Sequence, residues 1–285
     1  MLPLVTPSAR LAAAIELLAV LEAQCFAPDA RRRPADAVAS DFFRARRFIG
    51  GGDRRSIAEW VWGAVRQRLR LIWNLSRLPA EPTPRLLLLN YLVLVARWTE
   101  ADIGRGFSGE RYGAAPLNAA EARAVRIMAG RTLLHADMPD SVRFNLPEWL
   151  LADFQARFGA TLAEEAAAME QPASLDLRAN LLRGTREEAA AALMAEGIAT
   201  EATPFSPWGL RVPSRRPVTG TAAFKAGLIE VQDEGSQLIA LLADARPGMR
   251  VADYCAGAGG KTLAMAATMG NRGKITACDT SAPRL

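Results

Sequence analysis

Apolar positions in the first half of the chain recur with helical spacing. Residues 8–22 place Leu11, Ala14, Ile15, Leu18 and Leu21 on one side, with Ser8 as the expected N-cap. A second helix is expected over 34–48, stopped by Gly50, Gly51 and Gly52. Asp53 then caps a third, over 54–74, which turns Ile57, Trp60, Val61, Ala64, Val65 and Leu69 inward. The proline-rich break 78–84 leads to an apolar helix over 85–97, and another follows near 119–129. Period-two alternation is absent before about residue 170, so an all-α domain is expected over 1–140.

The pattern then changes. Pro147 opens a helix to 158 with Leu150, Leu151, Phe154 and Phe158 as its expected buried stripe. A strand over 173–179, a helix over 186–196 closed by Gly197, and extended segments near 199–204 and 208–212 make a small α+β module, 141–215. A basic linker, 214–220, precedes an extended stretch over 224–231 and a helix over 234–245. These last elements open a third domain, 216–285.

That domain carries the candidate chemistry. Residues 251–262 read Val-Ala-Asp-Tyr-Cys-Ala-Gly-Ala-Gly-Gly-Lys-Thr: a short strand, a glycine-dense turn and a helix start. Gly257, Gly259 and Gly260 leave backbone N–H groups bare for a ligand at the helix N-terminus. Residues 274–278 form a second strand ending on Asp279, so the pair reads as the nucleotide-binding half of a Rossmann-type fold. A P-loop would need Gly where Cys255 stands, and a dinucleotide fingerprint would need Gly where Thr262 stands. A third reading is an S-adenosylmethionine (SAM) site, with the turn at the amino-acid end and the acid at the ribose; the plain alternative is a strand–helix turn that binds nothing.

Composition adds a partner class. Of 35 basic residues only 225, 261 and 274 are lysine, and the net charge is +5. Arginine makes forked phosphate contacts and stacks on bases, although a GC-rich coding sequence gives the same preference. Arg31, Arg32, Arg33, Arg44, Arg46, Arg47, Arg54, Arg55, Arg66, Arg68 and Arg70 cluster in the helical half, as a solvated face or an RNA footprint. Trp60, Trp62 and Trp73 are read as core, and the single histidine, His135, as structural. No run reaches the ~18 apolar residues of a membrane span. No signal peptide is read at the start of the sequence. The unpaired spacing of Cys25, Cys255 and Cys278 argues against a disulfide framework and a zinc site and favours a reducing compartment. A cytoplasmic, monomeric protein without metal or membrane partner is expected.

Several motifs together resemble one family. Asp253-x-Cys-Ala-x-x-Gly-Gly-Lys-Thr262 looks like the SAM motif of the Sun/RsmB (NOP2/Sun-type) RNA cytosine-5 methyltransferases. Residues 231–237, Val-Gln-Asp-Glu-Gly-Ser-Gln, look like its helix-opening motif, and Asp279 with Pro283-Arg-Leu matches its second-strand acid and next helix. Ala258 stands where the family usually has proline. Residues 42–55 resemble the NusB-like domain of bacterial members. The resemblance implies a NusB-like all-α domain, an RRM-like α+β module with Arg178 and Asn180 on its first strand, and a Rossmann-type class I methyltransferase domain. It implies SAM on Cys255, Ala256, Gly257, Ala258, Gly259, Gly260, Lys261 and Asp279. It places RNA, with ribosomal RNA as the expected class, on Arg44, Arg46, Arg47, Arg54, Arg55 and Arg178. It further implies a thiolate that attacks cytosine C6 so that C5 takes the methyl group. None of the three cysteines lies in the family's Pro-Cys or Thr-Cys context, so the nucleophile is expected beyond Leu285, in a catalytic domain cut short here. The competing readings are a non-enzymatic RNA-binding or assembly protein and a SAM enzyme acting on protein or small molecules.

Overall fold

The computed structural model describes residues 6–27, 33–78, 81–213 and 216–285. Arg31, Arg32, Pro79, Ala80, Ser214 and Arg215 lie outside the described residues. Two compact units divide between Gln171 and Pro172.

The first unit is helical: α1 Pro7–Leu21, α2 Ala35–Ala45, α3 Gly51–Arg66, α4 Arg68–Ser76, α5 Pro84–Leu94, α6 Glu100–Gly106, α7 Ala119–Met128, α8 Asp140–Arg143, α9 Glu148–Phe158 and α10 Leu162–Met169. Helix α5 is apolar around its whole circumference and is buried from Leu86 to Leu94, as such a helix must be. Leu11, Ala14, Leu17, Leu18 and Leu21 of α1 share its core with Ile57, Val61 and Ala64 of α3. Asn90, 0% exposed, donates from Nδ2 to the Leu71 carbonyl at 2.7 Å and so ties α5 to α4. Trp60 packs edge-on against Trp98, ring centroids 5.8 Å apart.

Four local expectations change. Thr6, not Ser8, caps α1: its Oγ1 accepts from Ala9 N at 3.2 Å, and Pro7 takes the first helical position, where a missing N–H costs nothing. The glycine run starts α3 rather than stopping α2, which ends at Ala45; Gly50 is the N-cap of α3, and Asp53 lies inside its first turn. The expected helix 54–74 breaks at Gln67, whose side chain bonds Arg70 and Glu170 at 2.7 and 3.1 Å. Finally, Leu150, Leu151, Phe154 and Phe158 are only half-buried, because the elements packed most closely on α9 are the short α8 and α10.

The second unit holds β1 Leu175–Ala179, α11 Arg186–Ala195, β2 Glu201–Ala202, β3 Gly209–Val212, α12 Ala222–Lys225 and β4 Ile229–Val231. The sheet order is β2-β3-β1-β4, antiparallel throughout, with Leu177 opposite Leu210 on one side and Val231 on the other. This is the βαββαβ order of a ferredoxin-like layer. Leu177, Ala179, Leu193, Leu210 and Ile229 form its core. The stretch 224–231 is not extended throughout. Thr221 Oγ1 caps the short α12, Gly227 turns the chain at φ +69°, and β4 joins this sheet rather than the elements that follow.

Then come α13 Glu234–Leu242, β5 Arg250–Asp253, α14 Gly260–Thr268 and β6 Lys274–Ala277. Strands β5 and β6 are parallel, with Val251 opposite Ile275 and Asp253 opposite Ala277. Ala240 of α13 and Ala264, Met265 and Met269 of α14 pack over Val251 and Ile275. Among the described residues no helix is long and apolar enough to cross a membrane.

Candidate cofactor turn and arginine recess

The parallel pair delivers both parts of the sequence-predicted cofactor site to one edge. Past the ends of β5 and β6 the ladder continues, with Cys278 N donating to Asp253 O at 2.8 Å and Ala256 N to Cys278 O at 2.9 Å. The chain then turns at Gly257 and Gly259, at φ +54° and +83°, conformations that a side chain would strain. Gly259 is the N-cap of α14 and offers no side-chain cap, so the first N–H groups of the helix face outward unpaired by the helix itself.

Asp279 completes the turn. Its Oδ2 accepts from Gly257 N at 2.8 Å and its Oδ1 from Ser281 N at 2.9 Å. The Ser281 and Gly257 bonds, with Arg284 nearby, hold its carboxyl below the usual aspartate range. Cys255 and Ala258 are exposed, Lys261 is half-buried, and Ala256 is buried under the turn. Thr262 donates from Oγ1 to Asp253 Oδ2 at 2.6 Å, locking the helix start to the strand end.

Residues 231–237 received no individual roles from the sequence, yet they bind the ferredoxin-like sheet to α14. Glu234 accepts from the Phe205 and Ser206 backbone N–H groups at 2.7 and 2.8 Å. Burial pushes its carboxyl up, but these bonds, Thr203 and Arg211 outweigh it and the net direction is down. Gln237, 0% exposed, donates to the Leu177 and Gln232 carbonyls and accepts from Ser206 Oγ. Gln232 Oε1 accepts from Arg178 Nε at 2.6 Å, and its Nε2 faces Gly260, where a Cβ would sit 3.4 Å away. The repeated Gln and Glu at 232, 234 and 237 was the only signal for this clamp.

Arg178 is the correction among the expected RNA contacts. It is 1% exposed and paired with Glu230 at 2.5 Å, because β4 brings Glu230 and Gln232 alongside it. The other arginines lie in the first unit, and three of them meet. Arg44, Arg47 and Arg54, with Ser40 and Phe43, line a recess of about 460 Å3. Arg44 pairs with Asp41 at 3.1 Å, Arg54 is fixed by the Ile49 carbonyl at 2.9 Å, and Arg47 is exposed. Arg46 pairs with Glu16 and lies 3.9 Å over the Phe42 ring, outside this recess. Arg55 is exposed and does not line it.

The RsmF/B-type methyltransferase ferredoxin-like domain matches residues 146–219, from α9 through β3. A probable ribosomal RNA small subunit methyltransferase B of Synechocystis is 34% identical over 145 residues, 50% of this chain and 32% of that protein. Over these stretches the chain is similar to the Sun/RsmB methyltransferases. The Caenorhabditis elegans 26S rRNA (cytosine-C(5))-methyltransferase nsun-1 is 33% identical over 158 residues, 53% of this chain and 23% of that protein. The chain thus spans a third or less of either relative's length. The crystal structure of PH0851 covers all of this chain and 66% of its own, with a TM-score of 0.69 at 18% identity, and shares the fold. The family model stops at 219, so β4, which completes the sheet here, lies beyond it.

Proposed function

We propose that this chain is the RNA-binding and cofactor-binding part of a SAM-dependent methyltransferase that forms 5-methylcytosine in RNA, with ribosomal RNA as the substrate class. In this reading the first unit is the NusB-like domain, the four-stranded layer is the RRM-like module, and β5–α14–β6 opens the Rossmann-type domain. A cytoplasmic site of action follows from an rRNA substrate. The observation that carries the reading is Asp279 hydrogen-bonded to Gly257 beside the uncapped N-terminus of α14.

The residues fit the cofactor. The free N–H groups of α14 suit its carboxylate, and Asp279, already ionised, has lone pairs left for ribose hydroxyls. When bound, SAM supplies a methyl group on a sulfonium; this chain's part is to hold and orient it. The nucleophile is assigned to none of the three cysteines. Cys255 belongs to the turn, the Cys278 backbone serves the ladder, and Cys25 follows α1 in the helical unit.

Calorimetry of SAM binding to residues 1–285, beside Asp279→Ala, tests the proposal. Binding that falls at least tenfold in the variant supports it. A folded chain with no SAM affinity would leave the second reading, an RNA-binding assembly protein, which the recess of Arg44, Arg47 and Arg54 favours.

A further inference from the structure

The turn that follows α2 separates two recesses. Arg44 and Arg47 look into the arginine recess; Arg46, Phe48 and Ile49 look into another, of about 510 Å3. The second is apolar. Ala9, Ala12 and Ala13 of α1 give it a wall of methyl groups at helical spacing, and Tyr112 with Arg111 closes the far side. Arg47 of one recess and Phe48 of the other are consecutive residues, about 3.8 Å apart at Cα.

The lips of this recess have the makings of a stacking platform. Phe48 is 57% and Tyr112 77% exposed, large values for aromatic rings on a protein surface. Arg111 lies 4.9 Å over the Tyr112 ring, so a cation and a π-face already stand side by side. The loop that presents them is fixed. Ser8 of α1 accepts from Ala114 N through Oγ at 2.9 Å and through its carbonyl at 3.1 Å. A Cβ at Gly113 would meet Ser8 Oγ at 2.4 Å, so the loop lies flush on α1. Tyr112 is thereby held at φ +66°, a conformation rare outside glycine and asparagine.

We propose that this recess is a nucleobase pocket. An unpaired base of the RNA stacks on Phe48 and Tyr112, and the adjoining phosphates sit on Arg44, Arg47 and Arg54. The charge favours RNA over an apolar peptide: among the described residues Glu16 is the one acid lining either recess, it is already paired with Arg46, and Asp41 beside Arg44 is paired as well. Aromatic stacking accepts any base, whereas the arginines read only the backbone. The inference rests on the RNA-binding part of the proposed function and is independent of the cofactor part.

The test uses residues 1–285 with a short single-stranded RNA and the same ribose–phosphate chain carrying abasic sites, titrated across salt. The wild-type protein is expected to prefer the base-bearing strand by about tenfold or more, the size of one stacked base. Phe48→Ala/Tyr112→Ala should bind both strands alike with the wild-type salt slope. Arg44→Ala/Arg47→Ala should weaken both strands equally and flatten the slope of log K against log salt by about one to two. Both pairs of side chains are largely outside the core, and circular dichroism checks that each variant is folded. A double aromatic variant that keeps the wild-type preference overturns the proposal. Absence of RNA binding overturns it together with the RNA reading, while SAM calorimetry decides the cofactor reading separately.

Discussion

Gly257 gives its backbone N–H to Asp279 Oδ2 at 2.8 Å, so the acid after β6 closes the turn after β5. Protonation would put a hydrogen on one carboxyl oxygen and weaken its acceptance from Gly257 or Ser281. Its depressed pKa means that the closed turn persists down through the ordinary aspartate value, about 3.9, and opens as pH falls through the lower folded value. The Gly257 amide resonance should therefore hold steady from neutral pH and move only below about 3.9. A midpoint above that value would contradict the geometry.

Arg178 stands among groups that cannot do without it. Arg178→Met leaves Gln232 Oε1 and Glu230 unpaired at the β1–β4 junction. Urea unfolding should show a loss of about 3 kcal/mol. The salt slope of RNA binding should be unchanged; a slope lower by about one would place Arg178 on a phosphate instead.

Two glycines in α3 should respond with opposite signs. At Gly63 a Cβ would lie 2.3 Å from Tyr91 Oη and 2.4 Å from the ring carbon bearing it, where α3 crosses α5. Gly63→Ala is expected to destabilise by about 1–3 kcal/mol. Gly52 has nothing within 4 Å, and Gly52→Ala should stabilise by about 0.5 kcal/mol through the unfolded chain. Denaturant midpoints of the two variants should move apart around the wild type.

Gly260 and Gln232 should be energetically coupled. The added methyl of Gly260→Ala would lie 3.4 Å from Gln232 Nε2, at the near edge of van der Waals contact, and Arg178 holds that amide in place. SAM affinity should fall in Gly260→Ala and partly recover in Gly260→Ala/Gln232→Ala, a coupling of about 0.5 kcal/mol or more in a double-mutant cycle. Strict additivity would show that the contact has no effect.

What could be read from the sequence was what short-range chemistry dictates. Helix α5 has no polar face to offer solvent, and a glycine turn between two short apolar strands admits few geometries. The failures come from partners far along the chain. The break at Gln67 lacks glycine or proline; its side chain is claimed by Glu170, 103 residues away. The fate of Arg178 depends on residues 52 and 54 positions later, which only strand pairing brings near. Ser8 has the chemistry of a cap, but Pro7 moves the helix start to Thr6 and leaves Ser8 to hold Ala114.

Only Gln232 and Asp233 separate β4, at the edge of the antiparallel sheet, from α13, which packs on both β1 and α14. Mechanically, that span is too short to act as slack. Load placed on the edge strand, by a bound polymer or by a force probe, passes through the Gln237 and Glu234 clamps to the glycine turn. The sheet and the turn should yield to force as one step.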